Sequence, residues 1–159
     1  MRFIRFPLLT RFVLAGAHLA MLPAASGAAG LRAAGAFDVV TTPAGEFDTQ
    51  AGTATARFTL TKTFHGALSA SGKGEMLTAM GSKPGSAAYV AIERIDGTLD
   101  GKRGSFIVHH TGTRSGGVDK LSIAIVADSG SGQLQGISGV MAIEMVDGKH
   151  VYTLDYQLP

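Results

Sequence analysis

The sequence predicts an all-β domain of antiparallel strands, and three features support this prediction. Glycine accounts for 22 of the 159 residues, and from residue 28 onward no stretch free of Gly and Pro is longer than 53–65. A helix bundle needs longer uninterrupted segments. Asp-Gly and Gly-Gly dipeptides, typical of hairpin turns, recur at 100–101, 116–117 and 147–148. With 45% hydrophobic and 16% charged residues, the chain is expected to fold as one domain.

Alternating apolar and polar residues, enriched in β-branched and aromatic side chains, mark eight candidate strands. They lie at 36–42, 53–64, 68–78, 86–99, 104–113, 120–127, 133–146 and 149–158. Because tight turns join neighbouring strands, the strands are expected to run antiparallel. The sequence contains no repeat of fixed period, which disfavours a propeller or a solenoid.

The N-terminus has the three parts of a secretory signal peptide. Arg2, Arg5 and Arg11 precede an apolar run at 12–22, and small residues follow at 23–29. The run is about half the roughly 20 residues that a membrane-spanning helix needs, so we expect no stable membrane anchor. We predict a signal peptide at 1–27, with cleavage within 26–29, and therefore a periplasmic or secreted protein.

The basic pI of 9.1 is explained by the predicted leader. Removal of residues 1–27 takes away three of the 14 Lys and Arg and none of the 12 Asp and Glu, which leaves a net charge of −1. No cluster of basic residues remains to neutralise phosphates, so nucleic-acid binding is not expected. Residues 28–35 are small and aperiodic, which indicates a flexible N-terminal segment. The β domain is expected at 36–159.

The Asp147-Gly148 turn fixes which residues face each other in the last hairpin. Val146 then pairs with Lys149, and one face of the hairpin is apolar while the other is polar. The apolar face holds Met141, Ile143 and Met145 opposite His150, Tyr152, Leu154 and Tyr156. We predict that this face covers the core, since strand pairs with one apolar side pack in that way.

The other turns place three polar side chains on faces that are otherwise apolar. The Asp100-Gly101 turn puts Glu93 and His110 on one face. Their neighbours there are Tyr89, Ala91, Ile95, Phe106, Val108 and Gly112. A three-residue loop at 65–67 puts Lys62 on a similar face. Its neighbours are Ala56, Phe58, Leu60 and Phe64, beside Leu68, Ala70, Gly72, Gly74 and Met76.

Several of these segments resemble an uncharacterised bacterial family of unknown function. The similar stretches are Thr61-Lys62-Thr63-Phe64, Gly74-Glu75-Met76, 89–94 and 104–112, and the similarity extends over about 36–158. The Gly-rich segment 130–139 and the segment 152–156 are similar to strands of allene oxide cyclase and of the plant dirigent proteins. The resemblance implies a single antiparallel eight-stranded barrel, like that of allene oxide cyclase, around a central cavity. A barrel of eight strands can enclose one small ligand.

Glu93 and His110 are the candidate catalytic residues, because diagonal neighbours on adjacent strands lie within reach of each other. A carboxylate beside an imidazole favours the protonated ring and orients it, and proton-transfer sites are built in this way. The alternative interpretation is a buried polar pair that only fixes the strand register. The sequence leaves both interpretations open.

The candidate ligand-binding residues are Lys62, Tyr89, Glu93, His110, Tyr152 and Tyr156. Lys62 could offer a cation to a carboxylate ligand, could pair with Glu93 or Glu75, or could extend its amine into solvent at a strand edge. The three tyrosines could present hydroxyls to a pocket or pack as ordinary core residues.

We expect no metal and no cofactor. The chain has no Cys, and the adjacent His109 and His110 point to opposite faces of a strand, so they cannot share one metal ion. The Gly130-Ser131-Gly132 segment lacks the lysine of a phosphate-binding loop. The surroundings of Ser138 do not match the Gly-x-Ser-x-Gly turn of hydrolases.

The sequence favours an exported β-barrel that binds a small, mostly apolar ligand, because its predicted interior is rich in Met, Tyr and Phe. One alternative is an isomerase or cyclase that works in the barrel cavity, as the resemblance to allene oxide cyclase implies. A second is a structural or interaction barrel whose interior is filled by its own side chains. The sequence leaves catalysis uncertain and homo-oligomerisation open.

Overall fold

β-strands make up most of residues 30–159, the part of the chain that the computed structural model describes. This part contains nine strands: β1 (Leu31–Pro43), β2 (Asp48–Gln50), β3 (Thr53–Gly66), β4 (Leu68–Met80), β5 (Ala87–Leu99), β6 (Lys102–Ser115), β7 (Val118–Ile125), β8 (Ser138–Val146) and β9 (Lys149–Gln157). One turn of 3-10 helix, Gly132–Leu134, precedes β8. The predicted signal peptide lies outside the described residues. Within 30–159 no helix is long and apolar enough to span a membrane.

The eight long strands form a closed antiparallel barrel, as the resemblance to the bacterial family implies. Their spatial order is β1-β9-β8-β7-β6-β5-β4-β3. The cylinder closes because β1 also pairs with β3, from Gly35 opposite Gly66 to Pro43 opposite Phe58. The short β2, which the sequence analysis did not predict, extends the β1 side of β3. Closure pairs each long strand on both sides and directs alternate side chains into the interior.

Both Asp-Gly turns have the predicted register. The two residues of each turn have φ between 47° and 81°, a conformation that matches the twist of the flanking strands. Leu99 therefore pairs with Lys102, and Val146 pairs with Lys149. The predicted inward faces of these hairpins follow from this pairing.

The turn between β3 and β4 differs from the prediction in register but not in facing. Lys62 pairs with Gly72 and Phe64 pairs with Ala70, two residues beyond the pairing that a three-residue loop requires. Because side chains alternate with a period of two, a shift of two residues keeps the same side chains inside. Lys62 therefore still points into the barrel, where it is 6% exposed.

The first strand begins earlier than predicted. We expected a flexible segment at 28–35, but β1 starts at Leu31 and pairs with β9, Leu31 lying opposite Tyr156. Ala33 is 1% exposed in the core, and Arg32 makes two hydrogen bonds to Asp155 across the strand pair. Small residues that lack an obvious period can thus be ordered by the partner strand, which supplies the backbone hydrogen bonds.

The predicted strand at 133–146 is also wrong in its first part. β8 begins only at Ser138, because positive φ values of 60° at Gly132 and 78° at Gly136 interrupt an extended chain. Segment 126–137 instead covers the edge of β6 that β7 leaves unpaired. The hydroxyls of Ser129 and Ser131 accept hydrogen bonds from backbone N–H groups of β6 there.

The interior of the barrel has two halves, which we name by their ends. The closed half ends at the β3–β4 and β5–β6 turns and at segment 126–137. Its apolar filling includes Phe64, Leu68, Ile95, Leu99, Phe106, Leu134, Ile137, Tyr152, Leu154 and Tyr156. The open half ends at β2 and at the turns β4–β5, β6–β7 and β8–β9. Met145, predicted to face the core, lies in the open half and is 59% exposed.

Candidate functional site

Three polar side chains meet midway along the barrel interior, and we call them the central cluster. Lys62 Nζ donates a hydrogen bond to Glu93 Oε2 at 2.8 Å. His110 Nε2 lies 3.1 Å from the same oxygen. The side chains of Lys62, Glu93 and His110 are 7%, 0% and 4% exposed. The sequence predicted each of them on an inward face, and the structure brings all three together. Glu75, the other acid considered for Lys62, is exposed.

A glycine on the intervening strand makes room for the central cluster. β4 runs between β3 and β5, and its Gly72 pairs with Lys62. A Cβ atom on Gly72 would collide with Glu93 Oε1. Glycine within a strand often marks such a close approach, so Gly72 is the signal in the sequence that could have indicated the cluster.

The central cluster favours the ionised form of Glu93. Burial raises the pKa of this carboxyl, but the contact with His110 and the charge of Lys62 together outweigh burial and lower the pKa below its ordinary value. Lys62 Nζ also lies 4.9 Å from the ring centroid of Phe37 and 5.7 Å from that of Phe64. These cation–π contacts help to compensate the loss of water around the buried ammonium group.

Two atoms of the central cluster form no hydrogen bond within residues 30–159. They are Glu93 Oε1 and His110 Nε2, and both are buried. The contact between Nε2 and Glu93 Oε2 is short, but its geometry is too bent to count as a hydrogen bond. Lys62 already donates to the carboxylate oxygen that faces His110. Glu93 and His110 therefore belong to one buried cluster with Lys62, in which these two polar atoms lack a partner within residues 30–159.

Tyr152 and Tyr156 use their hydroxyls to hold turns at the closed end. Tyr152 Oη accepts a hydrogen bond from the backbone N–H of Leu68 at 2.8 Å and donates to the carbonyl of His65 at 3.3 Å. Tyr156 Oη donates to Asp100 Oδ2 at 2.7 Å in the β5–β6 turn. Both side chains are almost fully buried. These contacts correspond to the alternative in which the tyrosines are core residues.

The open half contains a cavity of about 550 Å³, which we call the mouth cavity. The large apolar side chains of its lining are Phe47, Phe58, Met76, Met80, Tyr89 and Leu121. Phe47, in the connection between β1 and β2, packs edge-on against Phe58 with 5.9 Å between the ring centroids. At the rim, Arg114 donates two hydrogen bonds of 2.6 Å to Asp119. The opposite charges of Arg114 and Asp119 therefore balance each other.

Tyr89 is the predicted site residue that lines the mouth cavity. Its ring lies against Gly112, the cross-strand partner, where a Cβ atom would collide with the ring. Burial, and then the charge of Glu93, raise the pKa of Tyr89. The phenol is therefore protonated at neutral pH.

The remaining predicted site residues, Lys62, Glu93, His110, Tyr152 and Tyr156, are absent from the lining of the mouth cavity. The sequence pattern predicts Phe58 and Met76 on inward faces but does not mark them as site residues. Phe47 follows no strand pattern, so nothing in the sequence marked it. Among residues 30–159, no three His, Asp or Glu side chains are grouped so that they could hold a metal ion.

Comparison with known proteins supports the barrel and the family resemblance. Residues 33–156 match the model of a family described as "Protein of unknown function (DUF3224)". A crystal structure of a protein with unknown function from that family, from Shewanella oneidensis MR-1, is 40% identical in sequence. The match has a TM-score of 0.79 and covers 82% of this chain and 98% of that one. None of the curated proteins matches the chain significantly.

Proposed function

The chain belongs to the DUF3224 family, and we propose that it binds a small, mostly apolar molecule in the mouth cavity. The proposal rests on the difference between the closed half and the open half of the barrel interior. Apolar side chains fill the closed half, whereas inward-facing Phe58, Met76 and Tyr89 leave a space of about 550 Å³ in the open half. Ligand sites are typically clefts of about 300 to 1,000 Å³ with an apolar lining and a few polar groups.

The geometry favours binding over the two alternatives. A barrel filled throughout would have no room for a ligand, and only the closed half is packed in that way. Catalysis by Glu93 and His110 requires that a substrate reach them. Both side chains are almost fully buried, and Lys62 occupies the carboxylate oxygen next to His110. No separate observation favours an isomerase or a cyclase.

The test uses the four methionines of the barrel as reporters. Prodan, a neutral naphthyl ketone, serves as the probe, and isotope-labelled methionine methyl groups are observed by NMR. We expect Met76 and Met80, which line the mouth cavity, to shift on titration, while the buried Met141 stays in place. Equal shifts of all the methionine signals, or none at all, would contradict binding in the mouth cavity.

A pair of variants on one strand provides the control. Thr78→Trp places an indole in the mouth cavity, because Thr78 belongs to its lining. Leu77→Trp places the same group outside, since Leu77 is 56% exposed and neighbouring residues of a strand face opposite sides. We expect only Thr78→Trp to abolish the shifts. If Leu77→Trp abolishes them as well, the probe binds elsewhere.

We also propose that the protein is exported and acts in the periplasm or outside the cell. Arg2, Arg5, Arg11 and the apolar run at 12–22 support this proposal. Cleavage within 26–29 would leave every described strand intact, since β1 begins at Leu31. The intact mass of protein recovered from the cell envelope or medium should show a new N-terminus at 27–30. Recovery of only the full-length chain, from the cytoplasm, would contradict export.

A further inference from the structure

The three tyrosines of the chain differ in what their hydroxyls contact. Tyr152 and Tyr156 are bonded to turns at the closed end. Tyr89 belongs to the lining of the mouth cavity, and its hydroxyl forms no hydrogen bond with any residue of 30–159 and is not sealed from solvent. We propose that Tyr89 Oη is the hydrogen-bond donor that selects ligands with a carbonyl oxygen. This inference rests on the proposed function and names the class of ligand.

The position of Tyr89 suits a residue that recognises one polar group in an apolar space. Its ring packs against Gly112, and a tyrosine has only two side-chain torsions, so little side-chain entropy is lost when the hydroxyl is ordered on binding. Met76 and Phe58 supply apolar surface to the same cavity. A ligand with an apolar body and a single oxygen acceptor could therefore satisfy both the surface and the hydroxyl.

The polar groups around the mouth cavity also favour an acceptor on the ligand. Asp119, the carboxylate in the lining, accepts hydrogen bonds from Arg114 on both oxygens. Lys120 belongs to the lining too and forms no ion pair within residues 30–159. A cationic ligand would thus meet no free carboxylate, whereas a ligand carbonyl oxygen could accept a hydrogen bond from the phenol of Tyr89. Burial and the charge of Glu93 raise the pKa of Tyr89, which keeps the donor proton in place.

The experiment compares two probes on the full-length folded barrel. Prodan carries a ketone, and dimethylaminonaphthalene has the same ring system without it. We expect Tyr89→Phe to weaken Prodan binding by about 3- to 10-fold, the effect of one neutral hydrogen bond, and to leave the affinity for dimethylaminonaphthalene unchanged. The emission of bound Prodan should shift to the blue in Tyr89→Phe, because its carbonyl loses a donor.

Tyr156→Phe is the matched control, since it removes a phenolic hydroxyl at the closed end. It should leave the affinity for both probes unchanged. Tyr89→Phe should unfold in urea like the unmodified protein, because the hydroxyl supports no other residue.

The outcomes separate this inference from the proposed function. If both probes bind in the mouth cavity and Tyr89→Phe alters neither affinity nor emission, the proposed role of Tyr89 is wrong. Ligand binding in the mouth cavity would still be supported. An equal loss of affinity for both probes would also overturn the role of Tyr89, because it would indicate lost packing. If neither probe shifts the signals of Met76 and Met80, the proposed function fails first.

Discussion

The closed and open halves of the barrel are built from the same strands with the same alternation, yet only one half is filled. In the closed half, Phe106, Leu99 and Leu154 are completely buried. In the open half, Phe58 and Met76 occupy equivalent inward positions and remain partly exposed. The difference lies at the ends. Segment 126–137 adds the buried Leu134 and Ile137 to the closed half, whereas the β1–β2 connection brings Phe47 against Phe58 in the open half but leaves it 50% exposed.

Alternation therefore predicts which side chains face inward, whereas the connections decide whether the interior is filled. The central cluster lies at the boundary between the halves. On β5, Glu93 separates Ile95 in the closed half from Tyr89 in the open half. A buried ion pair at this position is a weak source of net stability but is costly to break. Replacing one charged residue of the central cluster should therefore destabilise the fold strongly.

We expect Glu93→Gln to have the largest effect on stability. It leaves the ammonium group of Lys62 buried without its counter-charge, and breaking a buried ion pair in this way costs about 3 to 5 kcal/mol. The free energy of unfolding in urea measures the loss. Lys62→Met combined with Glu93→Leu removes both charges and should recover most of it. If the double variant is as unstable as Glu93→Gln, the ion pair is not the reason.

Truncation of core residues should distinguish the two halves directly. Leu154→Ala leaves a cavity in the closed half and should cost about 2 to 5 kcal/mol. Met76→Ala removes a partly exposed side chain from the lining of the mouth cavity and should cost about 1 kcal/mol or less. The same urea experiment measures both. Equal losses would show that the open half is as tightly packed as the closed half, which the structure contradicts.

The stability of the folded protein should depend on pH through the ionisation of Glu93 in the central cluster. The folded protein lowers the pKa of Glu93 below its ordinary value of 4.5. The stabilisation is therefore present above that ordinary value and is lost as the pH falls through the pKa of the folded state. Unfolding free energies at several pH values from neutral to strongly acidic should fall more steeply for the unmodified protein than for Glu93→Gln. Parallel curves would show that Glu93 is not held ionised.

Amide hydrogen exchange should show a smaller, local difference within the barrel wall. β7 and β8 share two residue pairs, Ile123 with Met141 and Ala124 with Val140. β4 and β5 pair along their whole length, from Leu68 opposite Leu99 to Met80 opposite Ala87. We expect amides at the β7–β8 seam to exchange faster than those between β4 and β5. Equal protection at the two seams would contradict the pairing described here.

Much of the fold could be predicted from the sequence, because its determinants are local. Asp-Gly turns set two hairpin registers, and a period of two placed Lys62, Glu93 and His110 inside. From the sequence, the contact between Lys62 and Glu93 was only one of several possible contacts of Lys62. It depends on how β4 pairs with both β3 and β5. Segment 126–137 was mistaken in part for a strand, because its covering of β6 depends on distant backbone groups.

The site was predictable only as a set of inward positions. Tyr89, Phe58 and Met76 were on the predicted inner faces, but nothing local indicates that the barrel is empty around them. Tyr152 and Tyr156 have the same residue type and the same alternation as Tyr89, and they differ only in which turns they reach. Such differences arise from closure of the barrel, which brings together residues far apart in the chain.

Native mass spectrometry of the protein purified from its own host would show whether a small molecule occupies the mouth cavity. The unmodified protein should carry a small-molecule adduct without any added ligand, and Leu77→Trp should carry the same adduct. Thr78→Trp should be free of it, because the indole occupies the mouth cavity. An adduct of equal mass and abundance on Thr78→Trp, or none on the unmodified protein, would contradict the claim that the open half of the barrel is a binding site.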